Sequence, residues 1–109
     1  MNMSKKEKRI KLQNELLSRV YDLILNTETA DDERAKLIEF KNNVENGKDF
    51  EKEVMYLAED LRELSLLKFK NKNNLSPKVA KLYMDISTTG FFEKELGRGI
   101  VAFSSLFSN

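Results

Sequence analysis

The sequence has no cysteine, no histidine, one proline and four glycines among its 109 residues. Without thiols there is no disulfide framework and no thiolate nucleophile, which suits a small domain kept in a reducing cytoplasm. Without imidazole the commonest general base is missing. With both side chains gone, nearly every zinc or copper site goes too, leaving a carboxylate-only site as a formal alternative. Long apolar runs are also lacking. The longest, Val54 to Ala58, is five residues, against about 20 for a membrane span and about 7–15 for a signal-peptide core. The chain therefore displays no anchoring or export signal, and a cytoplasmic location is expected. A dominant charge is absent as well: 19 basic residues face 18 acidic ones, a net charge of +1. Any electrostatic site must then be a local patch, because a domain that neutralises nucleic-acid phosphates as a whole carries a strong basic excess.

What the sequence does contain is helical periodicity. From about Lys5 to Glu28, Ile10, Leu16, Leu17, Val20, Leu23 and Ile24 recur at helical spacing, with a Glu15–Arg19 pair four apart on the outside. Thr29 followed by Asp32 resembles a capping box, and Asp31, Asp32 and Glu33 suit the positive end of a helix dipole. A second helix is predicted from about Ala30 to Asn46, with a thin face of Ala35, Leu37, Ile38 and Val44 and Phe40 to one side. Gly47 closes it and Asp49 caps a third helix. The third has the clearest stripe: Phe50, Val54, Leu57, Ala58, Leu61 and Leu64, with Glu51, Glu53, Glu59, Asp60 and Glu63 mostly off it. After the polar loop Lys70 to Asn74, Ser76-Pro77 opens a fourth helix striped by Val79, Leu82, Tyr83 and Ile86 and ended by Ser87 to Gly90. Four helices with short connections predict an all-α antiparallel four-helix bundle over residues 1–90. Residues 91–109 form a phenylalanine-rich tail of the same single domain, packed on the bundle.

In that tail Phe92, Leu96, Ile100, Phe103 and Phe107 lie four, four, three and four apart, the spacing of one helical face. Gly97 and Gly99 oppose a continuous helix by about 1 kcal/mol each, so short helical pieces are expected. The tail has two compatible readings, a cap over the core or an adaptable apolar surface for a partner.

Four further patterns bear on chemistry. Asp31-Asp32-Glu33 suggests a cation site, but all three acids sit at a helix start without the spaced ligands and glycine turn of a calcium loop, which favours capping. Gly97 to Ala102 matches the dinucleotide fingerprint but lacks the βαβ unit that gives it meaning. Lys68, Lys70, Lys72, Lys78 and Lys81 form a run with no acid inside it. The simpler and preferred reading is a solvated loop whose first lysines complement a helix C-terminus; the sharper one is attraction to an anionic leaflet. Lys5, Lys6, Lys8, Arg9 and Lys11, broken by Glu7, open the first helix, where cations oppose the dipole; a frayed solvated end is the preferred reading and a second anionic-surface contact the alternative.

The basic amphipathic first helix, the stretch Asp32 to Ile38, the run Phe50 to Leu64 and Ser76-Pro77 leading to Leu82-Tyr83 together resemble pediocin-like (class IIa) bacteriocin immunity proteins of the enterocin A immunity type. The resemblance covers nearly the whole chain. It implies a cytoplasmic four-helix bundle, without cofactor or metal, that protects a bacterium from one bacteriocin. Protection in that family implies association with the membrane-embedded mannose phosphotransferase permease, a sugar permease, once the bacteriocin has engaged it. The C-terminal half is implied to decide which bacteriocin is resisted. Carried over by position, partner recognition falls on the fourth helix and the tail, with Phe91, Phe92, Leu96, Arg98, Ile100, Phe103, Leu106 and Phe107 as its residues; the charge run itself, and not the resemblance, offers Lys68, Lys70, Lys72, Lys78 and Lys81 as the alternative contact for the anionic inner membrane surface. A monomer is expected, and nucleic acid is not. The competing class is a small regulatory or adaptor bundle that binds nucleic acid through Lys68 to Lys81. An enzyme is disfavoured, for want of a recognisable base, nucleophile or cofactor cradle.

Overall fold

A computed structural model describes residues 4–87 of the chain. Among them lie four helices: α1 (Lys5–Leu25), α2 (Asp31–Glu45), α3 (Phe50–Lys70) and α4 (Pro77–Ile86). Each helix packs on the next, α1 on α2, α2 on α3 and α3 on α4. Cross-links give the directions. Arg9 near the start of α1 pairs with Glu51 at the start of α3, and Arg19 Nη2 donates to Asp85 Oδ2 near the end of α4 at 2.9 Å. The architecture is the all-α four-helix bundle that the periodicity predicts.

The core is one cluster fed by all four helices: Leu12, Leu16, Val20 and Leu23; Leu37, Phe40 and Val44; Phe50, Val54, Leu57 and Leu61; Val79, Leu82 and Ile86. Within each helix these positions are three or four apart, so burial follows the helical period. The α3 and α4 stripes lie where the sequence puts them, with Ala58, Leu64 and Tyr83 half-buried at their margins. Two stripes differ. In α1, Leu12 is fully buried and Ile10 is exposed, because 12, 16, 20 and 23 continue one face while 10 falls about 120° off it. In α2, Phe40 belongs to the core whereas Ala35 and Ile38 do not. The true face is Glu33, Leu37, Phe40 and Val44, and it looks thin in sequence because one of its members is an acid.

The helix ends show why the elements stop where they do. Ser4 caps α1: its Oγ accepts from the Glu7 N–H and donates to the Glu7 carboxylate, both at 3.1 Å. This Ser-x-x-Glu arrangement offsets the basic first turn. The first helix ends at Leu25, three residues before the expected Glu28. Asn26 Oδ1 accepts from the Glu28 N–H, and the Thr29 hydroxyl turns back to the Leu23 carbonyl instead of capping α2. Arg34 then takes the orphan carbonyls of Ile24, Asn26 and Thr29, each at 2.8 Å. The N-cap of α2 is thus Ala30, whose side chain accepts nothing.

At their C-termini α2 and α3 close in the same way. The Gly47 N–H donates to Val44 and the Lys48 N–H to Asn43; the Lys72 N–H donates to Phe69 and the Asn73 N–H to Lys68. These are paired Schellman bonds, which place one residue in the left-handed region. Gly47 does this at φ 87° and Lys72 at φ 59°.

Candidate functional site: the α3–α4 junction

The end of the bundle where α1 meets α2 and α3 meets α4 is tied by one buried acid. Glu33 is fully buried. Its Oε2 accepts from Lys68 Nζ at 2.6 Å and from the Ser76 N–H at 3.0 Å, and its Oε1 accepts from the Ala30 N–H at 3.4 Å. Lys68 Nζ also lies 3.1 Å from Asp32 Oδ1. Ser76 completes the tie: its Oγ accepts from the Ala30 N–H at 3.2 Å and donates to the Glu28 carbonyl at 3.1 Å. The Ser76 hydroxyl is therefore spent on the neighbouring loop, and Pro77 at the first position is what starts α4.

Burial pushes the Glu33 carboxyl up, but hydrogen bonds from Lys68 and Ser76 pull harder, and its pKa ends below the ordinary carboxylate value. Burial likewise pushes the Lys68 ammonium down, yet bonding to Glu33 and Asp32 leaves it above the ordinary lysine value. Both groups are held charged by each other. The pair is costlier to break from the lysine side, because Glu33 would be left buried without a cation whereas Lys68 would keep Asp32.

The structure sorts the residues singled out in sequence. Lys68, the first of the lysine run, has a side chain only 12% exposed and is occupied by Glu33 and Asp32, which withdraws it from any surface contact. Lys70, Lys72, Lys78 and Lys81 are exposed, around the α3–α4 connection. Each acid of Asp31-Asp32-Glu33 has a cationic side-chain partner: Arg34 bonds Asp31 at 2.7 Å, and Lys68 bonds the other two. Phe91, Phe92, Leu96, Arg98, Ile100, Phe103, Leu106 and Phe107, together with Gly97 to Ala102, lie outside the described residues.

Sequence reasoning missed two things here. One is Glu33 as a member of the α2 stripe, four residues before Leu37, a signal that spacing carries and polarity hides. The other is the apolar company of the lysines: Leu66, Leu67 and Phe69 are 52%, 57% and 75% exposed in the last turn and a half of α3.

Among the described residues no helix is long and apolar enough to cross a membrane, and no group of three or more acids, cysteines or histidines could hold a metal ion. No curated protein and no solved structure matches the chain. A family model does, and its match runs from within α1 to just past α4. Covering residues 11–90, it shows that the chain belongs to the bacteriocin immunity protein family, of the enterocin A immunity type.

Proposed function

We propose that this immunity protein acts by binding and not by catalysis: from the cytoplasmic side it engages the mannose phosphotransferase permease that a pediocin-like bacteriocin has occupied. The observation that carries this reading is family membership over residues 11–90. The four stripes of Leu12 to Ile86 face one another and form a shared scaffold. A determinant that separates one bacteriocin from another is expected outside what the family shares. The family match stops at residue 90, one residue before the apolar segment that holds Phe91, Phe92, Leu96, Arg98, Ile100, Phe103, Leu106 and Phe107. Aromatic and arginine side chains are the usual anchors of a protein contact, which supports assigning recognition to them.

The test is expression in bacteria sensitive to pediocin-like bacteriocins, followed by challenge with a panel of those peptides. Survival against one or a few members is the expected result. Protection that persists when the permease is replaced by a bacteriocin-insensitive homologue, with killing restored through another receptor, would remove the permease from the account.

A further inference from the structure

We infer that the C-terminal end of α3 and the loop after it form a docking surface for an anionic membrane. Leu66 and Phe69, three apart, share one exposed face of α3, which Lys70 extends four residues after Leu66, while Leu67 is exposed about 160° round the helix from Phe69. Exposed apolar clusters rimmed by charge mark interaction surfaces, and a membrane interface accepts apolar side chains beneath a layer of cations. The charges nearest in sequence are Lys70 and Lys72, and Lys78 and Lys81 are exposed at the start of α4.

Cations outnumber acids at this end of the bundle, where the exposed acids include Glu63, one turn before Leu66 and Leu67, and Glu28, whose carbonyl accepts from Ser76. No acid lies in sequence between Glu63 and Asp85, and Asp85 is bonded to Arg19. On the neighbouring α1–α2 side, Asp31 is bonded to Arg34 and Asp32 to Lys68. Among the described residues Lys70, Lys72, Lys78 and Lys81 are exposed and form no ion pair, and their complement is a negative surface.

Lys72 adds a separate argument. It occupies the left-handed position that closes α3, at φ 59°, where a side chain is disfavoured relative to glycine. The equivalent position of α2 holds Gly47. A lysine kept at a position where glycine is easier points to use of its charge, since strain of this kind clusters at working sites. The inference stands apart from the permease reading, because lipid alone tests it.

The chain contains no tryptophan, so Phe69→Trp and Met55→Trp are single reporters. Met55 is also exposed on α3, fourteen residues or about 21 Å earlier along the helix axis. With vesicles of equal parts phosphatidylglycerol and phosphatidylcholine, emission from Phe69→Trp should shift to the blue and that from Met55→Trp should not. Vesicles of phosphatidylcholine alone should shift neither, and added salt should reverse the first shift. Lys70→Gln and Lys78→Gln should each lower vesicle partitioning of the full chain by up to about fivefold, the factor for one surface cation. Lys72→Gly is the sharpest case: it should raise the denaturation midpoint and lower partitioning together. Equal shifts from both reporters, or lysine variants that partition like the parent chain, would overturn the inference. So would partitioning that is lost on deleting Ile100 to Asn109 but is indifferent to the lysines, which would place lipid contact in the tail.

Discussion

Glu33 stands in a stripe position that a leucine would ordinarily fill, between the neighbouring loop and the base of α4. Its carboxylate gathers N–H groups from Lys68, Ser76 and Ala30, and these bonds stitch the α1–α2 turn to the α3–α4 turn. Glu33→Ala should cost about 1–3 kcal/mol, measured by urea denaturation, because the Ser76 N–H loses its acceptor and Lys68 keeps only the half-exposed Asp32. The pH dependence follows from the directions of the two shifts. Glu33 has a lowered value when folded, so its contribution is present above the ordinary carboxylate value of about 4.3 and is lost as pH falls through the lower folded value. Lys68 has a raised value, so its contribution is present below about 10.4 and is lost as pH rises through the higher folded value. The parent chain should therefore lose stability at both extremes, and Glu33→Gln should flatten the acid limb. An unchanged acid limb would show that the pair contributes nothing. At an apolar position the expectation is simpler. Leu61 is fully buried at the centre of the α3 stripe, and Leu61→Ala should lower stability by about 2–5 kcal/mol in the same titration.

At the scale of elements, the two Schellman closures make opposite forecasts from one geometry. Gly47 has φ 87° with open space around the position a Cβ would take, so Gly47→Ala meets no clash and its cost is conformational alone, about 1–2 kcal/mol by thermal denaturation. A neutral result would mean that α2 closes in some other way in solution. How much of each element was legible follows from what holds its ends. The stripes of α3 and α4 follow directly from spacing. So does Gly47, because a glycine after a periodic run has one conformational use there. The early end of α1 was not legible, because it depends on Arg34, eight residues beyond Asn26, reaching back to the last carbonyls. Ser76 looked like a cap for its own helix, yet its hydroxyl bonds across to Glu28 and Ala30, a tertiary choice that local sequence cannot contain. The lysine run was visible as charge. That Lys68 leaves it for Glu33, 35 residues away, was not.

At the scale of the molecule, a bundle with its core shared among four stripes offers different surfaces for different tasks. The family match covers most of the bundle, the end of α3 is where lipid contact is proposed, and the segment from Phe91 onward is where discrimination among bacteriocins is proposed to lie. These assignments separate scaffold from specificity, and fold alone does not decide between them. The measurement that tests the central claim most directly is a chimera carrying Gly90 to Asn109 of this chain on another immunity protein of the family, expressed in sensitive cells challenged with a bacteriocin panel. The account predicts that the chimera gains protection against the bacteriocin this chain resists, and that deleting Ile100 to Asn109 from the parent chain removes protection while its helix content is largely kept. A truncated chain that still protects, or a chimera that keeps its host's spectrum unchanged, would contradict it.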